Sequence, residues 1–219
     1  MGHLTAFFTC CLIGAQFSAA PVAAQNPMLR IFGAQTQMSW YETQPLTEDQ
    51  QVGLAQFQNE ISYFGGFAID PVGGAWGYTG GYHMQAIAEI AAQHICEGYS
   101  DGAPCRVIAA IIPASLPPGT RNAAGLNHSA EVAITQSYLK SYTEQAQGNF
   151  AAFAIGGRAW AYETAGSTPD EARHLARSLC EQTEQEDNRA GVAPEIAEAL
   201  NRLGAFECRV VDVRQITEP

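Results

Sequence analysis

The side chains with chemical potential in this sequence are the four histidines beyond residue 24, a set of cysteines, one acidic run and a group of paired aromatics. His83, His94, His128 and His174 show no i, i+4 pair, and neither H-E-x-x-H nor H-x-H occurs. A metal site would need ligands gathered from distant segments, so no metal ligand and no cofactor is expected. Ser129 follows His128, but catalytic triads are assembled from separated segments, and no G-x-S-x-G elbow is present. Gly73-Gly74 and Gly80-Gly81 lack the fixed order of phosphate-binding loops. Ser100-Asp101-Gly102 reads as turn chemistry. The run Glu181 to Asp187 lacks the alternating order of a calcium loop and reads as a solvated acidic loop. No catalytic residue is therefore assigned. Trp76, Tyr78, Trp160 and Tyr162 carry large amphipathic rings. They either pack against Ala-rich helices or, for Trp76 and Tyr78 with Tyr82 and His83, line a groove for a glycan, a peptide or a partner edge.

Charge narrows the partner class. The 219 residues carry 22 acidic against 11 basic side chains, a net charge of −11, and the basic residues are scattered. Nucleic acid, which needs a basic stripe, is excluded as the main partner. Residues 1–24 hold no Asp, Glu, Lys or Arg, and Leu4 to Gly14 is apolar. Val22-Ala23-Ala24 places small side chains at the −3 and −1 positions of a cleavage site before Gln25. A signal peptide over 1–24 is expected. It implies a periplasmic or extracellular mature chain with no stable membrane insertion after cleavage. Cys10 and Cys11 leave with it, and Cys96, Cys105, Cys180 and Cys208 remain. An even count in an exported chain reads as disulfides, with three possible connectivities.

An internal duplication supplies the frame. Phe67-Ala68-Ile69, Ala75-Trp76-Gly77-Tyr78, Cys96 and Cys105-Arg106-Val107 recur in order as Phe153-Ala154-Ile155, Ala159-Trp160-Ala161-Tyr162, Cys180 and Cys208-Arg209-Val210. Tryptophan and first cysteine are 20 residues apart in both copies. Alternation about Asp70–Gly74 and about Gly156-Gly157 predicts two hairpins. Met84, Ile87, Ala88, Ala91, Ala92 and Ile95 share one helical face. So do Ala172, Leu175, Ala176, Leu179 and Cys180, after the cap Thr168-Pro169-Asp170-Glu171. A β-branched strand opens at each second cysteine. The fold class is thus α+β: two tandem hairpin–helix–strand units with antiparallel sheet. A cysteine ending the helix neighbours the one starting the strand, which selects Cys96–Cys105 and Cys180–Cys208. Such loops contribute about 2.7 and 3.6 kcal/mol on the chain-entropy model.

The chain then divides into the signal peptide 1–24, an N-terminal extension 25–62 with one helix capped by Thr47, unit 1 over 63–113, a loop and connecting helix over 114–147, and unit 2 over 148–219. The connecting helix is expected from Ser129 to about Ala146, and a further helix near Pro194–Leu203 is ended by Gly204.

The F-A-I … A-W-G-Y … C … C-R-V order resembles an uncharacterised family of secreted bacterial domains, domain of unknown function 4189. The matching residues are Ala75 to Tyr78, Cys96 and Cys105 to Ile108, then Ala159 to Tyr162, Cys180 and Cys208 to Val211. The resemblance implies export and disulfides and carries no catalytic residues. The function expected is a non-enzymatic exported interaction module for an envelope component or another protein. The alternatives are an envelope-polymer hydrolase and a small inhibitor or immunity-type protein using the 181–207 connection.

Overall fold

The computed structural model describes residues 27–140, 148–189, 193–202 and 204–216. The expected signal peptide lies outside them, as does the end of the expected connecting helix, 141–147.

The fold is α+β with two antiparallel sheets. Strands β2 (Gly65–Ile69) and β3 (Trp76–Thr79) form the first hairpin, followed by α2 (Gln85–Tyr99) and β4 (Arg106–Pro113). Strands β5 (Phe150–Ile155) and β6 (Trp160–Gly166) form the second, followed by α4 (Pro169–Arg189), α5 (Pro194–Arg202) and β7 (Arg209–Gln215). The final strand returns antiparallel to the first strand of each hairpin. Cys96 bonds Cys105 and Cys180 bonds Cys208, each pair with Cα atoms 6.0 Å apart.

Unit 1 has an extra strand, β1 (Thr36–Trp40), antiparallel to β4, so its order is β1-β4-β2-β3. The second sheet runs β6-β5-β7. Each hairpin is also preceded by a helix: α1 (Glu48–Glu60) before the first and the short α3 (His128–Ala133) before the second. Thr47 caps α1 through a reciprocal box with Gln50. Asn127 caps α3, which runs into a π-helical turn, Ile134–Tyr138. The connecting helix is therefore shorter and less regular than its composition predicts among the described residues.

The strand pleat assigns the two faces of each hairpin to different helices. Gly66, Ala68 and Gly77 lie under the Ala-rich α2. A Cβ on Gly77 would sit 2.5 Å from the Cys96 backbone nitrogen. In unit 2, Ala152, Ala154 and Ala161 meet Ala172, Ala176 and Cys180 of α4. Small residues on both partners let helix and sheet backbones approach closely. The large rings take the opposite face. Phe57 of α1 packs on Phe67 and Tyr78, at 5.6 and 5.8 Å between centroids. Tyr138 of the π-helical turn packs edge-on to Phe153 and Tyr162, at 5.3 and 5.8 Å. This corrects the expectation that the rings pack against the Ala-rich helices. A ring there would force α2 or α4 off the sheet.

A second correction concerns Glu181 to Asp187. These residues continue α4 and are not a loop. Leu200 and Ala205, in and after α5, are buried in the core of unit 1, with Ile196 and Phe206 packed against them. The N-terminal stretch also ties the units. Arg30 O accepts the N–H of Leu126, and the Glu131 carboxylate accepts the N–H groups of Phe32 and Gly33.

Candidate binding groove along the edge of strand β3

Strand β3 is the last strand of its sheet, bonded on one side only among the described residues. The first hairpin closes with Asp70 N–H donating to Ala75 O at 2.8 Å. Antiparallel pairing alternates, so Ala68/Gly77 and Gly66/Thr79 are the bonded pairs that follow. The backbone groups of Trp76 and Tyr78 consequently point away from β2, toward the open edge.

Two helices wall that edge. Asp49 and Val52 of α1 stand on one side, Ile95 and Tyr99 of α2 on the other, and Gly74 to Tyr78 form the floor of a cavity of about 700 Å³. Val52 is 53% exposed and Tyr99 75%, unusual for apolar side chains with core available nearby. The floor is rigid. Trp76 and Tyr78 stack at 5.9 Å with planes 3° apart. The indole lies over Gly53 of α1, where a Cβ would come within 2.5 Å of the ring. Tyr78 Oη donates to Glu60 at 2.6 Å. Burial and then the Glu60 carboxylate push this phenol up to about 12. At the groove's end Asp70 accepts the Val72 N–H at 2.8 Å, and backbone N–H groups of Gly73 and Val72 hold its carboxyl below the usual range. Gln50 Nε2 of α1 donates to Asp70 O (2.8 Å) and Ala75 O (3.3 Å), fixing the turn to the wall.

Only half of the proposed aromatic set belongs to this groove. Trp76 and Tyr78 line it, whereas Tyr82 is 2% exposed and His83 0%. His83 sits in the joint between the units. Its Nδ1 accepts the Asn127 N–H at 3.0 Å, which leaves the Nε2–H to donate to Ala159 O at 3.2 Å. Its backbone N–H donates to Gly157 O at 2.9 Å. Desolvation, above all, lowers the imidazole to about 4, so it is neutral in neutral solution. Arg158 lies 5.6 Å over the Tyr82 ring. Tyr82 and His83 are therefore structural, because Asn127 and the second hairpin close over them.

The equivalent edge in unit 2 is treated differently. Glu163 of β6, aligned with Thr79, turns its carboxylate onto the N–H groups of Thr164 (2.7 Å) and Ala165 (2.8 Å). A charged side chain on an edge strand disfavours pairing with another chain, and Glu163 places one where β3 has Thr79.

The other chemical candidates do not converge. The Ser129 hydroxyl accepts from Trp160 Nε1 and donates to Asn127 Oδ1, both at 3.0 Å, which leaves no base to activate it. Among the described residues no three His, Cys, Asp or Glu side chains gather where a metal ion could be held. The groove walls were not singled out from the sequence. The contrast between Thr79 and Glu163 was the available signal, since the gapless alignment places them opposite each other.

No family model, no curated protein and no solved structure matches this chain.

Proposed function

We propose that the protein is an exported, non-enzymatic interaction module that captures an extended segment of a partner polypeptide as an added strand on β3. The observation that carries this is the edge of β3, open and floored by the outward backbone groups of Trp76 and Tyr78 between two apolar helix walls. Edge pairing draws affinity from main-chain hydrogen bonds and selectivity from pockets for alternate side chains. The walls favour apolar or aromatic residues at alternate positions. Asp49 and the net charge of −11 favour basic flanks and disfavour acidic ones. Both local disulfides support a mature protein outside the cytoplasm. The likeness to domain of unknown function 4189 belongs to the same reading.

The test is selection of displayed random peptides on the mature chain, followed by amide hydrogen exchange with the selected peptide. The N–H groups of Trp76 and Tyr78 should gain protection while those of Trp160 and Tyr162 do not. Peptides that bind tightly yet leave Trp76 and Tyr78 exchanging at the free rate would dismiss edge pairing.

A further inference from the structure

A second cavity is built from the two helices of unit 2. A crevice of about 280 Å³ opens between α4 and α5, lined among others by Glu181, Glu184, Gln185, Glu198, Asn201 and Phe206. Among the described residues no cationic side chain lines it. Arg202 reaches Glu198 at 3.6 Å, but both are over 70% exposed and the pair is weak in water.

Glu184 distinguishes this crevice from an ordinary acidic surface. The residue is 2% exposed. One carboxylate oxygen, Oε1, accepts the N–H groups of Arg158 (2.5 Å) and Ala159 (2.6 Å) and so holds the second hairpin turn. The other, Oε2, is buried without a hydrogen-bond partner among the described residues. Neither protonation state resolves this. An ionised Oε2 lacks a donor, and a protonated one lacks an acceptor. Burial raises the carboxyl above its usual range although the backbone N–H groups and the Arg158 charge pull the other way, so a further cation at Oε2 would relieve the remaining cost.

The kind of cation follows from the geometry. A divalent metal needs several oxygens converging at one point, and no such group of three acidic or imidazole side chains exists among the described residues. The carboxylates are instead spread over two helices, with a phenyl ring and two amides between them. That arrangement suits an elongated cation with directional N–H donors and an apolar stem.

We propose that this crevice binds an organic cation, its ammonium or guanidinium head donating to Glu184 Oε2, its stem along Phe206, and its far end toward Glu181 and Glu198. The source is either a free alkylamine or a lysine or arginine side chain of another protein.

The experiment is NMR titration of the mature chain with 1,4-diaminobutane, Nα-acetyl-lysine methylamide and Nα-acetyl-arginine methylamide, each against sodium chloride at matched ionic strength. The Arg158 and Ala159 amides should shift saturably with at least one amine. Affinity should fall at least tenfold in Glu181→Gln/Glu198→Gln, whose exposed substitutions leave the fold intact. Glu184→Gln should abolish the shift, with thermal unfolding followed in parallel to verify folding. Tighter binding of the amino-acid derivatives points to a protein side chain, and tighter binding of diaminobutane to a free amine. Shifts no larger than those with sodium chloride, or unchanged in the double variant, would overturn the proposal and leave Glu184 as a clamp on the turn.

Discussion

The two units are built on one plan and differ where a partner would touch them. In unit 1 the hairpin turn is satisfied locally, by Asp70 on Val72 and Gly73 and by Gln50 from α1. In unit 2 the shorter turn borrows Glu184 from α4, and Gly157 is packed so tightly that a Cβ would fall 1.8 Å from Ala205 O. The first arrangement leaves the end of the hairpin and its edge free. The second folds the turn into the joint between the units, where its carbonyls receive His83. One copy therefore reads as the structural partner and the other as the working one. The second edge also carries a carboxylate, Glu163, where the first has Thr79.

The largest expected effects concern the staples. Replacing Cys180 and Cys208 by alanine should cost about 3.6 kcal/mol, and replacing Cys96 and Cys105 about 2.7 kcal/mol, on the chain-entropy scale. Denaturant titration checks the order, and a reversed order would mean that the shorter loop is the more important clamp. Next is the joint. His83 has a folded value of about 4 against about 6.5 unfolded, so the unfolded chain takes up the proton first as pH falls. Its contribution is complete above about 6.5 and is lost as pH drops toward 4, by about 3 kcal/mol in total. Burial raises Glu184, so that group works in the opposite sense, losing stability as pH rises through its folded value. Comparing His83→Gln with the parent isolates the histidine limb: the slope between pH 6.5 and 4 should flatten in the variant.

Smaller effects separate the two helix–sheet contacts. Gly77→Ala should cost about 2 kcal/mol, because the neighbours of the new methyl are the α2 backbone. The aligned Ala161 already accommodates that methyl, and Ala161→Gly should cost only about 1 kcal/mol. Thermal unfolding of the two variants reads the difference, and equal losses would mean that α2 shifts as freely as α4 sits. Smallest in stability is Tyr99→Ala, within about 0.5 kcal/mol for an exposed side chain. It should nevertheless weaken binding of a selected peptide several-fold. Unchanged peptide affinity would remove α2 from the groove.

Much of this architecture was legible in the residues. The repeated tryptophan–cysteine spacing located both hairpins, both helices and both disulfides, and the Thr47 box located α1. The acidic run was misjudged because apolar periodicity stops at Cys180. The next core-facing position, four residues on, is Glu184, a polar side chain buried to serve a turn in another element. Glu and Gln are good helix formers, which carries α4 through the run. Period-two alternation showed that Trp76 and Tyr78 share a face with Phe67, but not which helix covers it. The glycines on the opposite face, Gly66 and Gly77, decide that by admitting α2. Strand β1 could not be read because its pairing is set by β4, with Thr36 facing Pro113 77 residues away. Tyr82 and His83 follow Trp76 and Tyr78 in sequence, which groups them with that pair, and only the fold shows Asn127 and Ala159 closing over His83.

The most direct measurement exchanges the edge residues. In Thr79→Glu the first edge receives the charge that the second carries, and in Glu163→Thr the second edge loses it. Both sites are read by calorimetric titration with the selected peptide, alongside thermal unfolding. Affinity should fall at least tenfold in Thr79→Glu with little change in melting temperature, and should be unaltered at the first edge in Glu163→Thr. Full affinity in a folded Thr79→Glu variant would contradict the claim that the open edge of β3 is where this protein takes hold of its partner.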